Sequence, residues 1–86
     1  MKKYPFSLKK HAHDLEYRRN RAKNELGDKQ INGTLKAGEE EKYQKLIDDL
    51  AEITLTWPDR NGIVWLTGKQ YGLAIESVGW AESMRS

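Results

Sequence analysis

Residues 53–68 read Ile53-Thr54-Leu55-Thr56-Trp57-Pro58-Asp59-Arg60-Asn61-Gly62-Ile63-Val64-Trp65-Leu66-Thr67-Gly68. Thr54 to Trp57 and Ile63 to Leu66 are short runs rich in β-branched and aromatic residues, and the stretch 58–62 between them has the composition of a turn. The pattern predicts a β-hairpin with strands at about 53–57 and 62–67. An isolated two-stranded hairpin is marginal in water, so another element must pack on it. Thr67 and Gln70 stand at capping-box spacing and Leu66 and Tyr71 at hydrophobic-staple spacing, which predicts a helix starting near Gly68. Tyr71, Ala74, Val78 and Ala81 would form its buried face, flanked by Leu73 and Ile75. Gly72 and Gly79 each weaken that helix by about 1 kcal/mol relative to Ala, and a third strand over 71–78 is the competing reading.

Upstream, Gly38 and the carboxylates Glu39, Glu40 and Glu41 suit the positive end of a helix. Tyr43, Leu46, Ile47, Leu50 and Ile53 then recur at helical spacing, the clearest amphipathic signal in the chain. Further upstream, Ser7 reads as an N-cap with Phe6 as its staple, and good helix formers continue to Leu26, where Gly27 offers a stop. Leu8, Ala12, Leu15, Ala22 and Leu26 make one narrow stripe on this first helix, and Asn32-Gly33 marks a turn before the second. Helices over about 7–26 and 38–53 should form an antiparallel hairpin.

The resulting fold class is α+β, mostly helical: a helical hairpin, a short β-hairpin and a C-terminal helix, with an all-α three-helix domain as the alternative. A length of 86 residues permits one small domain. Of the sixteen Leu, Ile and Val residues only five precede Tyr43, and Trp57, Trp65 and Trp80 all follow it. The second half is therefore expected to condense by itself, leaving the first helix with one thin seam and a reason to self-associate or to meet a partner.

Charge is uneven: residues 1–26 carry eight Lys/Arg against three Asp/Glu, and residues 27–61 carry five against eight. Lys9, Lys10, Arg18, Arg19 and Lys23 on the first helix could meet nucleic-acid phosphates, with Lys2, Lys3 and Arg21 nearby. The competing reading is a solvated face in which Asp14–Arg18 and Arg21–Glu25 pair along the helix. Tyr4, Phe6 and Tyr17 interleave with these cations as stacking or core residues. Residues 66–74 faintly resemble the opening of a helix-turn-helix DNA reader, but Gly79 falls one place late and too little chain follows for a recognition helix.

The absence of cysteine excludes disulfides, thiolate metal sites and a thiol nucleophile. His11 and His13, two apart on a helix, point to nearly opposite sides and cannot grip one metal ion together. Gly62, Gly68 and Lys69 miss the spacing of a phosphate-binding loop, and the serines sit in no nucleophile-elbow pattern. Asp14 or Glu16 could in principle work with a histidine as an acid–base pair. No run is long and apolar enough for a membrane span, the basic start leads into no apolar signal core, and the expected address is the cytoplasm.

The expected function is therefore non-catalytic, with no cofactor and no metal: a small binding protein of adaptor, regulator or inhibitor type that occupies a surface on another protein. Compact cysteine-free chains of this kind are frequent among phage and mobile-element accessory proteins, an analogy of size and composition. Trp57, Trp65 and Tyr71 are the expected contact residues, since aromatics dominate binding hot spots. The alternative is nucleic-acid binding through the basic helix.

Overall fold

The computed structural model describes residues 2–85. In chain order it places β1 (Lys3–Ser7), α1 (Leu8–Asn32), α2 (Glu39–Thr54), β2 (Ile63–Thr67) and α3 (Gly68–Arg85). The fold is α+β and mostly helical.

The hairpin expected within residues 53–67 does not form. β2 pairs instead with the N-terminal strand, antiparallel, with Lys3 opposite Thr67, Pro5 opposite Trp65 and Ser7 opposite Ile63. Residues 53–57 are the end of a helix and its exit. Ile53 stays on the buried face of α2, one turn after Leu50, and both are fully enclosed. The threonines then close the helix end: Thr54 Oγ1 donates to the Ala51 carbonyl at 3.0 Å and Thr56 Oγ1 to the Glu52 carbonyl at 3.0 Å. Bonding of this kind satisfies terminal carbonyls and overrides the β preference of isolated threonines.

Phe6 is accordingly not a staple before a helix. It lies in β1 opposite Val64, and both are in the core. Ser7 occupies the N-cap position of α1, yet its side chain makes no capping bond. The Lys9 amide, one of the orphan donors of a first helical turn, is satisfied by the Gly62 carbonyl at 3.1 Å.

α1 passes through the expected stop at Gly27 and ends at Asn32, where Gly33 (φ 69°) supplies the left-handed cap. The loss of about 1 kcal/mol for a helical glycine is outweighed by hairpin contacts beyond it: Lys29 bonds Glu39 and Gln30 bonds Glu40. Tyr43 reaches back to Glu25, so the two helices run antiparallel. Ala22, Leu26 and Ile47 form a small second core between them, with Leu35, Tyr43 and Leu46 at its margin.

The first helix is not an arm left outside. Leu15 is completely buried with Leu50, Ile53 and Ala74, and Leu8 joins the same cluster. The stripe read from the sequence is the seam that packs, so the expectation that residues after 43 condense alone is overturned, and with it that ground for self-association. Residues 71–78 are helical, excluding the strand reading. Of their expected face Ala74, Val78 and Ala81 are buried, Tyr71 packs at the core margin, and Ser77, missed in the sequence, is fully buried. Its hydroxyl donates to the Leu73 carbonyl at 2.7 Å. The capping box forms as spaced: Thr67 N–H donates to Gln70 Oε1 at 3.1 Å and Gln70 N–H to Thr67 Oγ1 at 3.3 Å.

Among the described residues no helix is long and apolar enough to cross a membrane.

Candidate docking surface

Side chains alternate across a strand. Tyr4, Phe6, Val64 and Leu66 therefore point to the helices, and Lys3, Pro5, Ser7, Ile63, Trp65 and Thr67 share the opposite face. The only sheet among the described residues has two strands, with its helices on the inner side, so its outer face carries no further layer. Trp65, opposite Pro5, is 55% exposed there. Pro5 has no backbone donor, which suits an edge strand.

Trp57 and Leu55 lie in the connection from α2 to β2 and are 93% and 79% exposed. The rest of that connection is fixed. Asp59 Oδ1 accepts from the amides of Asn61 (2.8 Å) and Ile63 (3.0 Å), and the Asp59 amide donates to the Ile63 carbonyl at 2.9 Å. Gly62 (φ 79°) lies against Lys9, holding the loop to the start of α1. Trp57 thus lies just ahead of a hydrogen-bonded turn that leads into β2.

Tyr71 lies elsewhere. Its ring packs on Tyr4 with centroids 5.3 Å apart, on the inner side of the sheet and at the margin of the core. The register therefore gathers Trp65 with Pro5 and Lys3 and separates both from Tyr71. Trp80 is partly covered: Tyr17 packs on it at 5.7 Å and the Arg18 guanidinium sits 5.7 Å from its centroid.

Six cations lie in or next to the strands in sequence: Lys2 and Lys3 on and before β1, Lys9 and Lys10 in the first turn of α1, Arg60 in the loop and Lys69 in the first turn of α3. Asp59 is the only carboxylate in residues 2–10 and 57–69, and its Oδ1 already holds two backbone amides. Neither α1 nor α3 has an acidic residue in its first turn, although a helix N-terminus favours anions and disfavours cations. α1 starts directly after Ser7 and α3 directly after Thr67, at opposite ends of the ribbon. Two positive helix ends, about 14 Å apart at about 3.4 Å per strand residue, thus bracket Trp65.

The basic residues of α1 are arranged differently. At about 3.6 residues per turn, Lys9, Arg19 and Lys23 fall within about a quarter of the circumference while Lys10 and Arg18 point to other sides, so the five do not share one face. Arg18 is engaged: it donates to Ser77 Oγ at 3.1 Å and to Glu76 Oε1 at 3.3 Å, with its side chain only 15% exposed. Arg19 is half-buried, and its Nε has no hydrogen-bond partner. The expected Asp14–Arg18 and Arg21–Glu25 pairs are not formed. Asp14 is buried and instead takes a bond from His11 Nδ1 at 3.3 Å and an ion pair from Arg85. His11 is thus a positioned partner of Asp14, not a free surface histidine, and Arg85 occupies the carboxylate's other oxygen.

Two more hollows open elsewhere. One, of about 240 Å³, is lined by Glu39, Lys42, Tyr43 and Leu46 on α2. The other, of about 290 Å³, lies between α2 and α3, where Asp49 and Glu52 face Lys69 and Gln70. Among the described residues no three His, Asp or Glu side chains cluster as metal ligands.

The perturbed titrations belong to the hairpin, away from the sheet. The hydrogen bond to Glu39 (2.6 Å) raises the Lys29 ammonium pKa above its ordinary 10.5, opposed by desolvation and helped by Tyr43. The same bond, with a further one from the Lys36 amide, lowers the Glu39 carboxyl pKa below its ordinary 4.5. Compared with protein-family descriptions, with curated proteins and with solved structures, the chain matches none.

Proposed function

We propose that this is a non-catalytic binding protein of adaptor or inhibitor type that docks on another protein through the outer face of the β1–β2 sheet. The observation carrying this reading is Trp65, a large apolar ring at the centre of an uncovered sheet face. Trp57 and Leu55 are further exposed apolar residues, in the connection that leads into β2. Large aromatics that pack little of their own core are the residues that dominate protein interfaces.

Trp57 and Trp65 are the proposed anchors, and Tyr71 supports the strand from within by packing on Tyr4. Nucleic-acid binding through α1 has less support, because its five cations do not share one face and Arg18 is already bound to α3.

The test is affinity capture from extracts of the cells that encode the protein, using the wild type beside Trp57→Ala and Trp65→Ala. A specific protein retained by the wild type should be weakened by either substitution while circular dichroism stays unchanged. Equal capture by all three proteins defeats the proposal.

A further inference from the structure

We infer that the sheet face selects an acidic segment of its protein partner, seated across Trp65 between the N-termini of α1 and α3; this rests on the docking surface proposed above. Opposite charges across an interface steer encounter and reject wrong partners. Two features of this surface favour a negative occupant. The first is the cation set Lys3, Lys9, Lys10, Arg60 and Lys69, whose own segments carry one carboxylate, Asp59, with Oδ1 already holding two backbone amides, while Asp49 and Glu52 of α2 face Lys69 alone. The second is that Lys9, Lys10 and Lys69 stand at helix N-termini, where they oppose the helix dipole and lower intrinsic stability. A local rule broken twice at one surface marks a functional constraint. Residues 2–10 and 57–69 carry six cations and one carboxylate, a net charge of +5, and Asp49 and Glu52 beside Lys69 bring the surface to +3, against +2 for the whole chain.

The occupant is a protein segment and not a nucleic-acid strand for two reasons. Pro5 and the half-buried Ile63 surround Trp65 with aliphatic surface, which suits apolar side chains between carboxylates. The patch is also short: Asp49 and Glu52 adjoin Lys69, so a polyanion extended past α3 meets like charge.

The experiment is a titration of the isotopically labelled full chain, read by amide and indole NMR shifts. The probes are a short peptide made only of Glu and Leu, its counterpart made only of Lys and Leu, and single-stranded oligothymidylate. The Glu/Leu peptide should shift the Trp65 indole and the amides of residues 3–9 and 60–69. Its affinity should fall about tenfold between low and physiological salt, since exposed charges are screened over about 8–10 Å there. Lys3→Glu with Lys69→Glu should remove the binding while leaving the other amide signals in place.

Equal shifts from the Lys/Leu peptide, tighter binding of oligothymidylate at Trp65, or no response to the Glu/Leu peptide would overturn the inference. If the Glu/Leu peptide fails while tryptophan-dependent capture of a protein persists, charge selection falls and the docking surface stands. If capture is indifferent to Trp57 and Trp65, the docking surface itself falls.

Discussion

Gly62 shows how much of this molecule hangs on single positions. Its φ of 79° lies in the left-handed region, its carbonyl caps the Lys9 amide, and a Cβ there would collide with the Lys9 side chain. Gly62→Ala should therefore lower stability by about 2 kcal/mol or more, a fall of roughly 10 °C in Tm for a domain of this size. An unchanged melting curve by circular dichroism would show that the loop is not held as described. Thr67→Ala removes one half of the capping box and should cost about 1 kcal/mol, with Thr67→Ser recovering most of it. Both residues were legible in part: the Thr67–Gln70 spacing announced the cap directly. For Gly62 only a turn was readable, because its demanding neighbour, Lys9, is distant in sequence.

At the scale of elements, β2 was recognisable from its own residues while its partner was not. Thr54 to Trp57 matched a strand by composition, but helical spacing from Leu50 to Ile53 and the two threonine back-bonds extend α2 instead. The true partner, Lys3–Ser7, hides its strand character behind Pro5 and Lys3, and Phe6 opposite Val64 is its only strong apolar signal. Phe6→Ala should therefore cost about 3–5 kcal/mol, far more than expected for a residue that merely staples a helix. Denaturant unfolding monitored by fluorescence measures this.

The helical hairpin was readable from its periodicity, except for the extra turns of α1, which tertiary contacts stabilise past Gly27. Its Lys29–Glu39 clasp has a pH signature. The lowered carboxyl pKa makes its contribution fully present above about 4.5 and lost as pH falls through the folded value. The raised ammonium pKa makes its contribution fully present below about 10.5 and lost as pH rises through the folded value. The Tm difference between wild type and Glu39→Gln should be widest between those limits and shrink beyond either. A difference independent of pH would exclude the clasp.

For the whole molecule, both ends of the chain build one core: β1 and α1 from the start, β2 and α3 from the end, with α2 bridging them. Leu15→Ala should cost about 2–5 kcal/mol, because the basic helix carries a fully enclosed side chain at its centre. Aliphatic counts alone assigned the core to the second half, since they weigh how many apolar residues a segment has and not whether the few are aligned. Three indoles within residues 57–80 of a small chain implied that one or two stay partly exposed, but composition leaned towards burial of each single ring, and the loop position of Trp57 and the strand register of Trp65 decide which are outside. That Tyr71 lies across the sheet from Trp65 required the strand register. The sharpest check is thermal unfolding of the double variant Trp57→Ser/Trp65→Thr beside Phe6→Ala. If the indoles serve docking, the double variant keeps a cooperative transition and loses less than half the stability that Phe6→Ala loses; if it unfolds as readily as Phe6→Ala, the rings belong to the core and the docking face does not exist.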